Sequence, residues 1–331
     1  MRQFYADCLE QLDLALDQLA LNDENYTRFA IMLIDNVAEL ILHDVAQSKL
    51  LVFERYGDAS PRGEDISLCR KAVGRNFDSK VKFANKIGLF DDATKNSILL
   101  LHEYRNTSYH RGERHERFLR ALTILYLQLV CRIFCDWEPL TWGFASNEVI
   151  PLRVRKYVGN SESILDDTRQ RYVDAFDRLG QIASNLRYDL ISDLSTEMGL
   201  VIEDIDQAID FLARDAPITS TRNEVIIRCQ TSALVFSEEH RARAINAGCS
   251  GNSIAEFEKW FEEEGLPFKK DPIPSWRRRL ASLKNEKEPQ AALKKFGDFE
   301  KQTRDFRDQI LESAFQLDMY IQSEIDRMRG K

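Results

Sequence analysis

The chain has 331 residues, with 46 basic against 54 acidic side chains and a formal net charge of −8 at pH 7, a balance that excludes a general polyanion binder and confines any nucleic-acid contact to local patches. Only 14 glycines and 8 prolines punctuate it, while hydrophobic residues make up 44%; this argues against a many-turned β architecture and for an all-α fold with enough apolar residues for two cores. Six cysteines without a C-x-x-C pair speak against a disulfide framework or a zinc knuckle and fit a reducing cytoplasm.

In chain order, the first predicted element is a helix over residues 2–21, with Leu9, Leu12, Leu16 and Leu19 on one face. It carries acids and lacks the continuous apolar core of a signal peptide, so secretion is not expected. A second helix over 24–56 is apolar on most of its circumference through Ile41, as the central member of a bundle would be. Its apolar stretch is broken by Asp35, Asn36 and Glu39 and falls short of the about 20 residues that a bilayer requires, so no membrane partner is expected. A third helix is predicted over 65–87, with Val73, Phe77, Val81 and Phe83 as apolar contacts and Gly88 as its stop. Asp91 or Asp92 caps a fourth, which carries Ile98, Leu99 and Leu100. After a polar break at 106–112, a fifth helix over 113–137 is apolar on more than one face, through Leu122, Ile124, Leu125, Leu127, Leu129, Val130, Ile133 and Phe134. That surplus of apolar surface, with that of the second helix, predicts a homodimer through this first domain.

Gly143, Pro151 and Gly159, with Pro139 just before them, mark residues 141–162 as the junction between a helical bundle over 1–140 and a second helical domain over 163–331. The alternation of Leu152, Val154 and Lys156 with Arg153, Arg155 and Tyr157 permits a short strand in that junction. A long helix is expected over 166–196, and another carries Phe296, Phe299, Thr303, Phe306, Ile310, Leu317 and Tyr320; the two can pair as an arm or brace a bundle. Between them a helix is expected near 202–214, Pro217 breaks the chain, and Ser253 opens an acidic helix with Glu256, Glu258, Glu262, Glu263 and Glu264.

Chemistry concentrates in residues 101–120, LHEYRNTSYHRGERHERFLR, which hold three of the five histidines and five arginines against three glutamates. Arg105 and His110 stand there with four residues between them. A permanently charged guanidinium neutralises a phosphate, and an imidazole that titrates near neutrality moves a proton to or from an oxygen. Such a pair suits a phosphodiester without metal, and no cofactor is expected. A purely structural reading stays open, with Arg105 paired to Glu103 or to a helix C-terminus and His110 capping the next helix. His102 and Glu103 begin like a zinc-protease helix, but Asn106 occupies the place of the second histidine, and the five-residue step from His110 to His115 is poor for two ligands on one helix face. No phosphate-binding glycine motif is present.

Arg105-Asn106-x-x-x-His110, placed between two helices about a hundred residues into an all-helical domain, resembles the signature of the HEPN family: Arg, often a polar residue, and His after four to six positions. The resemblance covers roughly residues 1–140. It implies a metal-independent endoribonuclease of toxin–antitoxin or antiphage defence systems, active as a dimer that brings two motifs into one cleft, with RNA as substrate and an antitoxin or defence-system protein as partner. It further implies that His110 is the general acid or base, that Arg105 stabilises the charged transition state, and that Asn106 orients the phosphate or the partner's side chain. Tyr109, Arg111 and Arg114 become candidate substrate contacts. Gly112 stands where some relatives carry a tyrosine that a partner nucleotidyltransferase modifies. The competing expectation is a non-catalytic helical RNA-binding or protein-interaction module.

A second basic run, residues 269–295, has nine positive against three negative side chains, including Arg277, Arg278 and Arg279 beside Trp276. Arginines on phosphates and a tryptophan stacked on an unpaired base would make it a substrate-binding surface. Alternatively its charges pair with the upstream glutamates and Trp276 belongs to a core.

Overall fold

Leucines at three- and four-residue spacing, Leu9, Leu12, Leu16 and Leu19, form the buried face of α1 (Arg2–Ala20). The same rule recurs along the chain, and the computed structural model, which describes residues 1–56, 64–110, 118–143, 148–159, 169–215 and 220–330, is helical with no strand among the described residues. The chain divides into two compact units, Met1–Asp193 with Lys287–Lys294, and Leu194–Glu286 with Lys295–Lys331.

In the first unit α2 (Glu24–Tyr56) is the central member, packed on α1, on α3 (Glu64–Ala72), α4 (Phe77–Lys86), α5 (Asp92–His110) and α6 (Leu119–Asp136). The helix predicted over 65–87 is two helices. Asn76 accepts a 2.8 Å hydrogen bond from the Ser79 amide and starts α4 afresh; Val73 and Phe77 keep helical spacing across the break, which is why the two read as one. Gly88, at φ +82°, follows the end of α4 in the left-handed conformation that favours glycine. Asp91 caps α5 through the Thr94 amide at 2.8 Å. The polar break predicted from residue 106 is absent as far as 110, because α5 continues through His110; residues 111–117 lie outside the described residues.

The expected junction at 141–162 does not separate the units. The short strand considered there is a helix, α7 (Leu152–Val158). Helical spacing sets Arg153, Lys156 and Tyr157 around the buried carboxylate of Asp13 on α1, with Arg153 at 2.8 Å, Lys156 at 2.7 Å and the Tyr157 hydroxyl at 2.5 Å. Beyond it, α8 (Arg169–Ser184) packs on α6 and α1. Phe176 stacks on Phe134 at 4.1 Å between ring centroids, and Tyr5 meets both rings edge-on. The first unit therefore extends to Asp193.

This packing also revises the surplus attributed to residues 113–137. Twelve residues of α6 are buried within the chain, against α2, α5 and α8. Exposed apolar side chains on α1 and α2 are Leu14, Tyr26, Phe29, Leu40 and Leu51, with Leu21 just after α1; Leu140, Val149, Leu152 and Ile182 are exposed elsewhere in this unit. The long helix predicted over 166–196 is likewise two, α8 and α9 (Leu190–Arg214), separated at 185–189. Since α8 spends its apolar face in the first unit, it is not half of a long arm.

In the second unit α9 buries Leu194, Met198, Ile202, Ile205, Ile209 and Leu212 at helical spacing. Arg222, the first residue of α10 (Arg222–Phe236), is ion-paired with Asp206, Asp210 and Asp271 at 2.5, 2.5 and 2.8 Å. Gln230 exchanges two hydrogen bonds with the backbone of Phe268. Next come α11 (Glu238–Asn246), the Ser253-capped α12 (Ile254–Trp260) with a π-helical turn after it, α13 (Ile273–Lys284) and α14 (Pro289–Met328). Among the described residues no helix is long and apolar enough to cross a membrane.

Candidate functional site

The side chain that organises the first unit's polar interior is Asp35, on the α2 stretch otherwise filled by Ile31, Ile34, Val37, Ala38 and Ile41. Only 3% of its side chain is exposed. A carboxylate at that depth loses its hydration and persists where fixed donors replace it. Three do so. Tyr126 on α6 donates its hydroxyl to Oδ1 at 2.8 Å, His102 on α5 donates Nδ1–H to the same oxygen at 2.8 Å, and Arg105 Nε stands 3.3 Å from Oδ2. Burial, reinforced by the charge of Asp35, pushes the Tyr126 phenol well above its ordinary pKa, so it remains a donor at physiological pH.

Helix spacing explains how α5 serves this carboxylate. Ile98 and Leu101 face the core, Tyr104 is buried and meets Phe118 edge-on, and His102 and Arg105, three apart, share the border of that face. His102 is fixed a second time by Phe77 of α4, whose ring lies parallel to the imidazole at 3.9 Å. Arg105 Nη1 also donates to Asn106 Oδ1 at 2.8 Å. With 20% of His102 and 28% of Arg105 exposed, both are anchored on the buried side and reachable from the other. The result is an imidazole and a guanidinium on one rim, held by one carboxylate.

The predicted site residues fare differently. Arg105 and Asn106 are brought together on α5, and Arg105 pairs with Asp35. His110 is the last residue of α5, and Tyr109 precedes it; their side chains lie outside the described residues, as do Arg111 and Arg114 entirely. Around a continuous helix a five-residue step turns by about 140°, against about 60° for three residues, so α5 sets Arg105 closer in azimuth to His102 than to His110. Sequence reasoning missed Asp35, Tyr126 and Phe77, and took His102 only as part of a failed zinc motif. A lone acid inside an apolar helix face was the available signal.

In the second unit Trp276 is a core residue, not a platform for a base. It is 2% exposed and is met edge-on by Phe268, Phe299 and Phe306. Arg277 is paired with Asp206 at 2.6 Å, so its charge is answered from α9 rather than from the upstream glutamates. Arg279 lies over the Phe299 ring and donates to Gln302, and burial lowers its pKa from the ordinary value. Lys295 pairs with Glu286 at 2.8 Å, and Lys269 donates to the Glu263 carbonyl. Of the triplet Arg277 and Arg278 are exposed and Arg279 is half-buried. Among the described residues no cluster of three His, Cys, Asp or Glu side chains is arranged to hold a metal ion.

Removing Asp35 would strip the shared acceptor from Tyr126, His102 and Arg105. Asp35→Ala is expected to lower unfolding stability by about 3–5 kcal/mol, the range for breaking a buried charged network from one side; chemical denaturation of the purified variant measures it, and wild-type stability would contradict the central place given to this carboxylate. Comparison of the chain with protein-family models, curated proteins and solved structures finds no match to any of them.

Proposed function

We propose that this chain is a metal-independent endoribonuclease of the HEPN kind, in which the 2′-hydroxyl of RNA attacks the adjacent phosphate and leaves a 2′,3′-cyclic phosphate. The observation that supports the reading best is the anchoring of Arg105. Its guanidinium is held by a buried carboxylate on one side and by Asn106 on the other while remaining partly exposed. A guanidinium fixed in this way presents its permanent positive charge to the negative charge that develops on a phosphorane-like transition state, at little reorganisation cost. His110 serves as the acid or base of the reaction, and Asn106 orients the phosphate. By the same resemblance the enzyme is a cytoplasmic toxin or antiphage effector restrained by an antitoxin or defence-system partner.

The basic run of the second unit has a smaller share in this reading. Arg278 is its candidate RNA contact, while Trp276, Arg277 and Arg279 support the fold. Incubating the purified protein with mixed RNA, with and without EDTA, tests the activity. Cleavage should survive the chelator, and Arg105→Ala and His110→Ala should each lower the rate by about 10²-fold or more. Folded variants that cleave at the wild-type rate would remove both residues from the mechanism.

The active species in this proposal is a homodimer, as the resemblance implies, formed through α1 and α2 rather than α6. An apolar groove of about 390 Å³ lined by Leu14, Gln18, Phe29, Met32, Leu33 and Asn36 runs between these helices. Asn36 adjoins Asp35, so one turn of α2 carries both the groove and the anchor of the site. Light scattering should report twice 38.4 kDa, and Phe29→Glu, which sets a charge in the groove, should shift the population to monomer and lower activity with it. A wild-type monomer that cleaves RNA would contradict the interface.

A further inference from the structure

Cleavage by 2′-hydroxyl attack needs two proton transfers, one away from O2′ and one onto the departing O5′. His110 accounts for one of them. We propose that His102 is the general base of this site and that Asp35 is its positioning residue; this rests on the ribonuclease reading above and adds a group which that reading does not use.

The geometry of His102 is that of an oriented base. Its Nδ1–H is bound to Asp35 at 2.8 Å, which leaves the Nε2 lone pair as the atom that accepts a proton, and no partner occupies Nε2 among the described residues. The parallel Phe77 ring at 3.9 Å blocks rotation of the imidazole. A carboxylate behind Nδ1 also stabilises the imidazolium that forms once Nε2 has taken its proton, as in any base oriented by a third group. Asp35 is itself fixed by Tyr126, so the acceptor does not move when the charge changes. The same carboxylate holds Arg105, and the base and the phosphate-neutralising group are therefore referenced to one point, three residues apart on one helix face. That shared anchor separates this histidine from one merely satisfied at a core boundary.

The reaction balances on these groups. Nε2 of neutral His102 takes the proton of the 2′-hydroxyl as O2′ bonds to phosphorus. The bond from phosphorus to O5′ breaks, and O5′ leaves with a proton from His110. The products are a 2′,3′-cyclic phosphate and a 5′-hydroxyl, with His102 protonated and His110 neutral until solvent resets them. Nothing is oxidised or reduced.

His102→Asn is the informative variant, because the asparagine amide can occupy the place of Nδ1–H and keep the bond to Asp35 while Nε2 is lost. It should melt near the wild-type temperature, lower kcat/KM on RNA by about 10²-fold or more, and abolish the acidic limb of the pH–rate profile, where the base is being deprotonated. Asp35→Asn should displace that limb. A substrate with sulfur in place of O5′ gives a leaving group that departs without a proton; it should restore His110→Ala toward the wild-type rate and leave His102→Asn impaired. A folded His102→Asn with an unchanged rate, an intact acidic limb, or rescue by the sulfur substrate would overturn the assignment of His102 as base. If His110→Ala and Arg105→Ala fail while His102→Asn does not, the ribonuclease reading stands and the added base falls. A folded wild-type chain that cleaves no RNA overturns both.

Discussion

The buried carboxylate of Asp35 ties three helices of the first unit to the direction of two side chains at its rim. Placing an acid on the apolar side of the central helix costs several kcal/mol in lost hydration unless neighbours supply matched donors. Here Tyr126 from α6 and His102 from α5 donate hydrogen bonds, and Arg105 from α5 supplies a positive charge. Helix positions are thereby coupled to the orientation of two side chains at the rim. A hydrophobic residue at Asp35 could fill the same space, but it would leave imidazole and guanidinium without a fixed direction. The arrangement is explained better as a positioning device than as a source of stability, because a buried ion pair gains little over good apolar packing.

Much of the fold was legible because period-3.6 burial is local. The leucines of α1, the central place of α2, the Asp91 cap and the glycine after α4 all follow from residues a few positions apart. What was misread depended on phase or on distant partners. Apolar residues stay at helical spacing across the α3–α4 break, so two helices read as one. Alternation in residues 152–157 looked like a strand, yet the deciding partner is Asp13, some 140 residues away, which collects Arg153, Lys156 and Tyr157 at helical spacing. The apolar breadth of α6 suggested a second chain; it is covered within the chain by α2, α5 and α8, whose Phe176 stacks on Phe134.

The site divides in the same way. Arg105 and Asn106 could be found from sequence, since they are adjacent and lie in a locally basic stretch of an acidic chain. Asp35 could not be found that way, because its contacts with His102 and Tyr126 span 67 and 91 residues. His102 was visible but was measured against a metal motif, whereas its meaning lies in Nδ1 bound to a carboxylate. Trp276 illustrates the reverse error. A tryptophan beside three arginines looks like a base-stacking platform, but three aromatic neighbours enclose it and Asp206 answers Arg277. Linear proximity of charge and aromatic says little about which face of a helix each occupies.

The measurement that bears most directly on the proposed chemistry is cleavage of an RNA oligonucleotide in which the nucleotide 5′ of the cut is replaced by its 2′-deoxy analogue, with end-group analysis of the unmodified product. Attack by the 2′-hydroxyl predicts that the deoxy substitution abolishes cleavage at that bond alone, and that the unmodified strand ends in a 2′,3′-cyclic phosphate with a 5′-hydroxyl on the downstream fragment. Cleavage that persists through the deoxy position, or products carrying a 5′-phosphate and a 3′-hydroxyl, would mean that water is the nucleophile and would contradict the account.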